Sequence, residues 1–241
     1  DWVHYHNYTE TVTILLTLNE TYSSIVDVFS IGKSLNGRDI YCVRLTNESD
    51  QTPKPEVFFI GYHHGNEQIS SELPLYFVVH AATNFDSNQD VTDLLNRSEI
   101  YVVVALNVDR LADASGRNNY EYRYNAHRVD LNRNYDYGWN LPEDKGGPLF
   151  SEPETQAIRD FVLKHDFVYA VSFHSGVDLI LYPWSHTEAP PPDNAKFVEI
   201  SQGLSRVTGG TLYLQCSELY IAYGTWDDWM YGVAGVFALT C

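Results

Sequence analysis

Four runs of apolar, largely β-branched residues set the strongest limit on what this chain can fold into. They read EVFFIGYHHG (56–65), EIYVVVALNVD (99–109), FVYAVSFHSG (167–176) and VAGVFALTC (233–241). A strand that is apolar along its whole length is covered on both faces, and stretches of helical character separate these runs. The sequence therefore predicts an α/β fold, with a mixed, mainly parallel, twisted β-sheet sandwiched by α-helices.

The remaining segments complete this prediction. Helices are predicted for HNYTETVTILLTLNETY (6–22), EQISSELPLYFVVHAATNF (67–85) and SEPETQAIRDFVLKH (151–165). In the last of these, Ser151 and Glu154 are expected to form a capping box. IVDVFSIGKSLNGRDIYCVRLTN (25–47) predicts a β-hairpin, and DLILYPW (178–184) and TLYLQCS (211–217) predict strands. A polar, tyrosine-rich loop from Arg110 to Gly147 is where function is expected. No linker or repeat divides the chain, so residues 1–241 are expected to form one domain.

Composition excludes several classes of protein. The formal net charge of −17 leaves no basic stripe for nucleic acid. No apolar run approaches the roughly 18 residues of a membrane span, so neither nucleic acid nor a membrane is an expected partner, and a monomer is expected. Cys42, Cys216 and Cys241 are too widely spaced for a C-x-x-C metal site, and their odd number argues against a disulfide framework.

Four N-x-S/T triplets favour an extracellular, glycosylated protein. They begin at Asn7, Asn19, Asn47 and Asn96. No signal peptide is visible before them, so we expect that any such segment was removed ahead of the first residue.

Two motifs with histidine lie at the ends of apolar runs. His64 and Glu67, in HHGNE, are three residues apart where a predicted strand gives way to a helix, and His174, in SFHSG, ends another strand. Sites in such sheets form at the carboxyl ends of strands, and two His with one Glu are a known ligand set of catalytic zinc. The alternative for each motif alone is a strand-end histidine satisfied by its surroundings.

A third motif, RVDLNRN, lies in the polar loop. Arg133 beside the amide of Asn132 suits recognition of a carboxylate, because the guanidinium fork matches its two oxygens. Taken alone, the same stretch would favour a loop turn with an exposed arginine.

The chain as a whole resembles the zinc metallocarboxypeptidase family of carboxypeptidases A and B. The resemblance extends over nearly the whole chain and rests on five motifs that occur in the family's order: HGNE, DLNRN, SEPET, FHS and LYPW. The resemblance implies a zinc-dependent exopeptidase that acts on the C-termini of peptides or proteins, with one Zn²⁺ per chain. His64, Glu67 and His174 are the implied zinc ligands, and Asn132 and Arg133 the implied pair that holds the terminal carboxylate.

The resemblance assigns further residues around the metal. Arg123, in YEYRYNA, matches the family arginine that polarises the scissile carbonyl and stabilises the oxyanion. Tyr220, in ELYIA, resembles the tyrosine that closes over bound substrate, and Tyr223 is a close competitor. Ser175 is expected to contact substrate.

Specificity is implied by TWDDWMY. Asp227 precedes the family's Asp-Trp pair and falls at the base of the pocket for the C-terminal side chain, and the small Ser185 falls in its lining. An acid at this place in the carboxypeptidase B-like enzymes pairs with Lys or Arg, so a preference for basic C-terminal residues is expected. Alternatively, Asp227 caps a turn and faces solvent.

The end of the chain, YGVAGVFALTC, matches the family strand that precedes the general-base glutamate. The resemblance therefore implies that this glutamate follows immediately after Cys241 and that a C-terminal helix lies beyond it. We expect that the sequence stops short of these elements, because an apolar strand without its covering helix promotes aggregation. A truncated protein, or a chain that has lost the base, would end in the same way, and Glu218 is the nearby acid that could substitute.

Two other functions fit parts of the sequence. One is a related zinc hydrolase that removes acyl groups from N-acyl amino acids, which shares the H-x-x-E…H ligand set. The other is a catalytically inactive module of the same fold that binds zinc or peptide.

Overall fold

The computed structural model describes residues 2–50, 52–113, 120–138 and 147–241. The helices are α1 (Tyr8–Thr21), α2 (Ile69–Asn84), α3 (Gln89–Arg97), α4 (Val108–Ala112), α5 (Pro153–Val162), α6 (Asn194–Val207), α7 (Cys216–Leu219) and α8 (Trp226–Gly232). The strands are β1 (Val26–Lys33), β2 (Asp39–Leu45), β3 (Glu56–Gly61), β4 (Glu99–Val103), β5 (Phe167–Phe173), β6 (Leu179–Tyr182), β7 (Leu212–Gln215) and β8 (Phe237–Thr240).

All these strands join one sheet, in the order β1-β2-β4-β3-β5-β8-β6-β7. The four central strands β4, β3, β5 and β8 are mutually parallel. The β1–β2 hairpin adds antiparallel to β4, and β6 adds antiparallel to β8 with β7 parallel beyond it. The predicted mixed, mainly parallel α/β sheet is confirmed, and the carboxyl ends of β3, β5 and β8 meet at one edge.

Strand β4 shows why its sequence is apolar throughout. Tyr101 and Val103 face a core shared with α5 and α8, whereas Ile100 and Val102 face a second core shared with α1, α2 and α3. Alternate residues of a strand point to opposite faces, so a sheet covered on both sides requires apolar residues at every position. A third, smaller core packs α6 against β6 and β8.

The predictions for local structure differ in their outcome. Helix α1 begins as expected, with a capping box between Asn7 and Glu10. The capping box predicted for Ser151 and Glu154 is wrong, because the helix begins at Pro153 and the Ser151 hydroxyl donates to Glu152 instead. Helices α3 and α6 were not predicted. Each buries only two residues but is amphipathic, so its helical pattern is present in the sequence.

The polar loop predicted between Arg110 and Gly147 is only partly irregular. It begins within α4 and contains two short 3-10 helices, Tyr120–Arg123 and Leu131–Arg133. Residues 114–119 and 139–146 of this loop lie outside the described residues. Within the part of the chain that the structure covers, no helix combines the length and apolarity needed to cross a bilayer.

Strand β3 and helix α2 touch through backbone at Gly61. A Cβ on Gly61 would lie 2.1 Å from the carbonyl oxygen of Ser70 and 2.7 Å from that of Val104. Pro74 lies four residues after Ser70 and has no N–H to offer this carbonyl. The helix can therefore approach the strand end closely only because residue 61 has no side chain.

We predict that Gly61→Ala destabilises the protein by about 1–3 kcal/mol, since backbone must move to admit the methyl group. Gly203→Ala is the matched control, because a Cβ there meets nothing closer than 3.9 Å within α6. Alanine in a helix interior should be neutral or stabilising by about 0.5–1 kcal/mol relative to glycine. Urea unfolding of both variants measures the difference, and equal unfolding free energies would contradict the close-contact argument.

Candidate active site

The structure brings His64, Glu67 and His174 together at the shared edge of β3 and β5. One ligand atom from each lies within 4.8 Å of the others. His64 Nδ1 is 2.8 Å from Glu67 Oε1, and His174 Nδ1 is 2.9 Å from Glu67 Oε2 and 3.2 Å from His64 Nδ1. Three side chains that the sequence separates by up to 110 residues thus converge on one point.

The turn after β3 directs His64 into this point. Tyr62 adopts a left-handed conformation (φ 59°), which is uncommon for a residue with a side chain and is found at functional sites. Its hydroxyl donates to the Gly65 carbonyl at 2.7 Å, and its own carbonyl accepts from Asn107 N at 3.0 Å. A Cβ on Gly65 would lie 2.4 Å from the Tyr122 carbonyl oxygen, so glycine lets the 120–123 segment approach His64.

The pairing of β5 with β8 positions His174. Its backbone N–H donates to the Cys241 carbonyl at 2.6 Å, while Cys241 N–H donates to the Ser172 carbonyl at 2.9 Å. The next residue, Ser175, donates its backbone N–H to Glu67 Oε2 at 3.1 Å. The Glu67 carboxylate therefore lies beside both histidines and accepts a hydrogen bond from backbone.

Asp130 fixes the orientation of His64. Its Oδ1 lies 3.1 Å from His64 Nε2, and a buried carboxylate accepts hydrogen bonds, so Nε2 carries the proton and Nδ1 presents a lone pair. That lone pair points to the same place as the Nδ1 of His174 and the oxygens of Glu67. Two nitrogens and a carboxylate arranged in this way fit a Zn²⁺ ion. The sequence did not single out Asp130, although it opens the DLNRN motif.

The electrostatics of the cluster favour a cation. Burial alone would raise the pKa of Asp130 and Glu67, but the neighbouring histidines, with Arg133 and Arg123 beside Asp130, hold both carboxyl pKa values below their ordinary range. Burial opposes a charge on His64, yet these two carboxylates raise its pKa. Burial lowers the pKa of His174. Two ionised carboxylates in a buried site thus create a strong preference for positive charge.

Arg123 lies beside the cluster and is held by the same acid. Its Nε donates to Asp130 Oδ2 at 2.8 Å, and its Nη1 lies 3.3 Å from His64 Nδ1 and 3.4 Å from Glu67 Oε1. The guanidinium is mostly buried, with 15% of the side chain exposed. Asp130 therefore orients His64 with one oxygen and Arg123 with the other.

Asn132, Arg133 and Tyr220 lie next to one another at the rim. Asn132 Oδ1 accepts from Trp226 N at 2.9 Å, which leaves its amide nitrogen as the group available to an acceptor. Arg133 Nη1 donates to the Asn132 carbonyl at 2.6 Å, and its Nη2 lies 3.5 Å from the hydroxyl of the exposed Tyr220. Tyr220, and not its competitor Tyr223, is among the residues that line the adjoining cavities.

Asp227 lies beneath this rim and not at the surface, so the alternative of a solvent-facing cap is wrong. The side chain is buried, and its Oδ2 accepts from Ser185 Oγ at 3.0 Å. Burial and the adjacent Asp228 raise the pKa of Asp227 to about 6. Asp228 holds the backbone in place, because its oxygens accept from the N–H groups of Ser185 and His186 at 2.7 and 3.0 Å.

Two adjoining cavities connect these groups. The first, of about 270 Å³, contains the His64, Glu67 and His174 cluster, and Arg123, Ser175 and Cys241 also line it. The second lies below Asn132 and Arg133 and reaches Ser185 and Asp227. The two share Asn132, Leu181, Leu219, Tyr220 and Thr240 in their linings.

A larger cavity lies elsewhere, between the N-terminal segment and α2. It measures about 560 Å³ and is lined mainly by apolar side chains such as Trp2, Leu73 and Tyr76. Among the described residues, the only cluster that could hold a metal ion lies in the smaller cavity. Convergent polar groups distinguish a chemical site better than volume does, so the smaller cavity is the candidate active site.

Comparison with known proteins agrees with this geometry. A family model described as zinc carboxypeptidase matches residues 11–241. Carboxypeptidase D of Mus musculus is 26% identical over 231 residues, which cover 90% of this chain and 16% of that protein. The chain thus spans about a sixth of the length of this relative.

Solved carboxypeptidase structures share the fold. Thrombin-activatable fibrinolysis inhibitor superposes with a TM-score of 0.89 at 24% identity, covering 98% of this chain and 65% of that one. Carboxypeptidase A of Helicoverpa armigera superposes with a TM-score of 0.82 at 26% identity, covering 98% of this chain and 63% of that one.

We predict that Asp130→Asn weakens zinc binding by about tenfold to a hundredfold, the usual cost of losing the partner that orients a metal-ligating histidine. An amide places an N–H toward either His64 Nε2–H or Arg123 Nε–H, where both positions need an acceptor. Asp136→Asn, on an exposed residue of the same loop, is the control. Titration with a competing chelator gives both affinities, and equal values for the two variants would contradict the orienting role.

Proposed function

The chain belongs to the zinc carboxypeptidase family, and from this premise we propose that residues 1–241 form the catalytic domain of an exopeptidase. The proposed enzyme hydrolyses the last peptide bond of peptides or proteins and prefers Lys or Arg at the C-terminus. One observation carries the proposal. Two adjoining cavities are lined by a cluster that could hold a metal ion, by an Asn–Arg pair and by a buried acid.

Asn132 and Arg133 are proposed to hold the terminal carboxylate of the substrate. The Asn132 amide is turned so that its nitrogen can donate, because Trp226 N–H occupies its oxygen. A guanidinium and an amide donor together match the two carboxylate oxygens. Tyr220, adjacent to Arg133 and exposed, is proposed to cover the bound end. Such a pair makes the enzyme an exopeptidase, because it selects the peptide bond one residue from the terminus.

His64, Glu67 and His174 are proposed to hold one Zn²⁺ ion. A bound zinc ion supplies a Lewis acid for the scissile carbonyl and lowers the pKa of water to about 7. Arg123 is proposed to donate to the carbonyl oxygen as negative charge develops on it. Its tie to Asp130 keeps the guanidinium oriented before substrate arrives. Ser175, whose backbone N–H donates to Glu67 and which lines the same cavity, is proposed to contact substrate.

The general base remains the expectation drawn from the resemblance, a glutamate immediately after Cys241. The geometry is compatible with it, since Thr240 and Cys241 line the metal-site cavity and His174 is bonded to the Cys241 carbonyl. A residue that follows Cys241 would begin at this wall. Glu218 is already engaged, because its carboxylate accepts from Gln215 N at 3.0 Å.

Asp227 is proposed to pair with a Lys or Arg side chain at the C-terminus of the substrate. It lines the second cavity, which measures about 50 Å³, together with Asn132, Arg133 and the small Ser185. Peptide and protein C-termini are the partners we propose. The four glycosylation triplets support the further proposal that the protein is secreted.

We predict that Arg133→Lys lowers kcat/KM for peptides with a free C-terminus by about tenfold to a hundredfold, the worth of a charge-assisted hydrogen bond that a single ammonium cannot replace. Arg128→Lys, on the exposed surface of the same segment, is the control. Peptides with an amidated C-terminus should be poor substrates for the unmodified protein and for both variants. A full-length protein that cleaves free and amidated peptides equally would contradict the proposed clamp.

We predict that C-terminal Arg is released faster than C-terminal Phe above pH 6. This preference should fall as the pH drops through about 6, because the pKa of Asp227 is about 6 and its carboxylate takes up a proton there. A neutral carboxyl group cannot pair with the guanidinium. Asp227→Asn should remove both the preference and its pH dependence. Parallel kcat/KM profiles for two peptides that differ only in the last residue provide the measurement, and faster release of Phe at pH 8 would refute the basic preference.

The same assays separate the two other functions. Hydrolysis of N-acetylarginine without cleavage of longer peptides would identify a deacylase. Tight binding of zinc and of a C-terminal Arg peptide, without turnover by the full-length protein, would identify an inactive binding module.

A further inference from the structure

The floor of the second cavity contains a thiol. Cys216 is the first residue of α7 and lines the cavity together with Ser185 and Asp227. Its Sγ lies 3.2 Å from Asp227 Oδ2, the same oxygen that accepts from Ser185 Oγ at 3.0 Å. Both contacts thus fall on one oxygen of the carboxylate and neither on Oδ1.

The thiol is the donor in this contact. Burial, followed by the charge of Asp227, raises the pKa of Cys216 well above its ordinary value, so the sulfur keeps its proton. A thiol is a weak donor, but a carboxylate is the acceptor with which such a donor interacts best. Two donors, one hydroxyl and one thiol, therefore converge on a single carboxylate oxygen.

Both donors are held by rigid surroundings. Asp228 binds the backbone N–H of Ser185, as described above. On the other side, the backbone N–H of Gln215 donates to Glu218 Oε1 at 3.0 Å where α7 begins. The Gln215 side-chain amide also donates to the carbonyls of Thr187 and Ala189 at 2.8 and 3.2 Å. The thiol is thus placed by the same segment that forms the cavity wall.

We propose that Cys216 is a positioning residue for substrate specificity. With Ser185, it fixes Oδ2 of Asp227 and favours the ionised carboxylate, so that Oδ1 is directed to the cationic end of a C-terminal Lys or Arg. This inference rests on the proposed function of Asp227. A donor to the ionised form stabilises that form, so loss of the thiol raises the pH at which the preference for basic residues disappears.

The test compares two variants that lack the donor, Cys216→Ala and Cys216→Val, with Cys216→Ser, which keeps one. Cys42→Ala removes a buried thiol whose hydrogen bond goes to the Val43 carbonyl and serves as the matched control. Ratios of kcat/KM for C-terminal Arg over C-terminal Phe are measured from pH 5 to 8 in the full-length protein. Zinc content and the thermal unfolding midpoint verify that each variant is folded.

We expect both donor-less variants to lose about twofold to tenfold in the Arg over Phe ratio at pH 7, the worth of one hydrogen bond. The midpoint of the pH profile should move upward in the same variants, while Cys216→Ser and Cys42→Ala follow the unmodified protein. A volume effect alone would distinguish Ala from Val and leave the midpoint in place, which would overturn the inference.

The failure of this inference is distinguishable from the failure of the proposed specificity. If Asp227→Asn abolishes a preference for Arg that the donor-less variants retain, the inference about Cys216 alone fails. If the unmodified protein prefers Phe, the proposed specificity fails as well.

Discussion

One buried carboxylate, that of Asp130, connects the parts of the candidate site. Oδ1 accepts from the ring of His64 and from the backbone N–H of Asn132, and Oδ2 accepts from Arg123. One carboxylate therefore anchors a candidate metal ligand, the residue proposed to stabilise developing charge and the start of the proposed carboxylate clamp. The cost of burying a charge is offset here because every contact is charge-assisted or comes from backbone. Displacement of Asp130 would disturb all three functions together.

The sheet provides the second constraint. Because β3, β5 and β8 run parallel, their carboxyl ends deliver His64, His174 and Cys241 to one edge of the sheet. The backbone bonds between His174 and Cys241 extend the ladder to the last residue described. The strands must be apolar on both faces to hold this arrangement, so the residues that position the site are core residues far from any substrate.

The second cavity contains one of two adjacent buried acids, and the two differ in their hydrogen-bond partners. Asp227 and Asp228 are adjacent and both buried, which disfavours two full charges. Asp228 is satisfied by the backbone and ring of His186 and by the backbone of Ser185. Asp227 accepts from the side chains of Ser185 and Cys216 and has a pKa of about 6. Asp228 therefore has a structural role, whereas the charge of Asp227 can change with pH or when a ligand binds.

The sequence by itself determined the fold class, because the apolar runs follow from local periodicity. It also named the three side chains that converge at the candidate metal site, through strand-end motifs and the resemblance to the zinc carboxypeptidases. The RVDLNRN motif placed Asn132 and Arg133 among the candidates, and the resemblance to the family added Ser185 and Asp227. Only the tertiary structure decided which acids matter, since Asp130, Cys216 and Asp228 resemble many other residues until their partners are known. It also corrected the start of α5 and revealed α3 and α6. Local periodicity records which face of an element is covered, whereas a hydrogen bond across 66 residues, such as that from His64 to Asp130, exists only after the chain has folded.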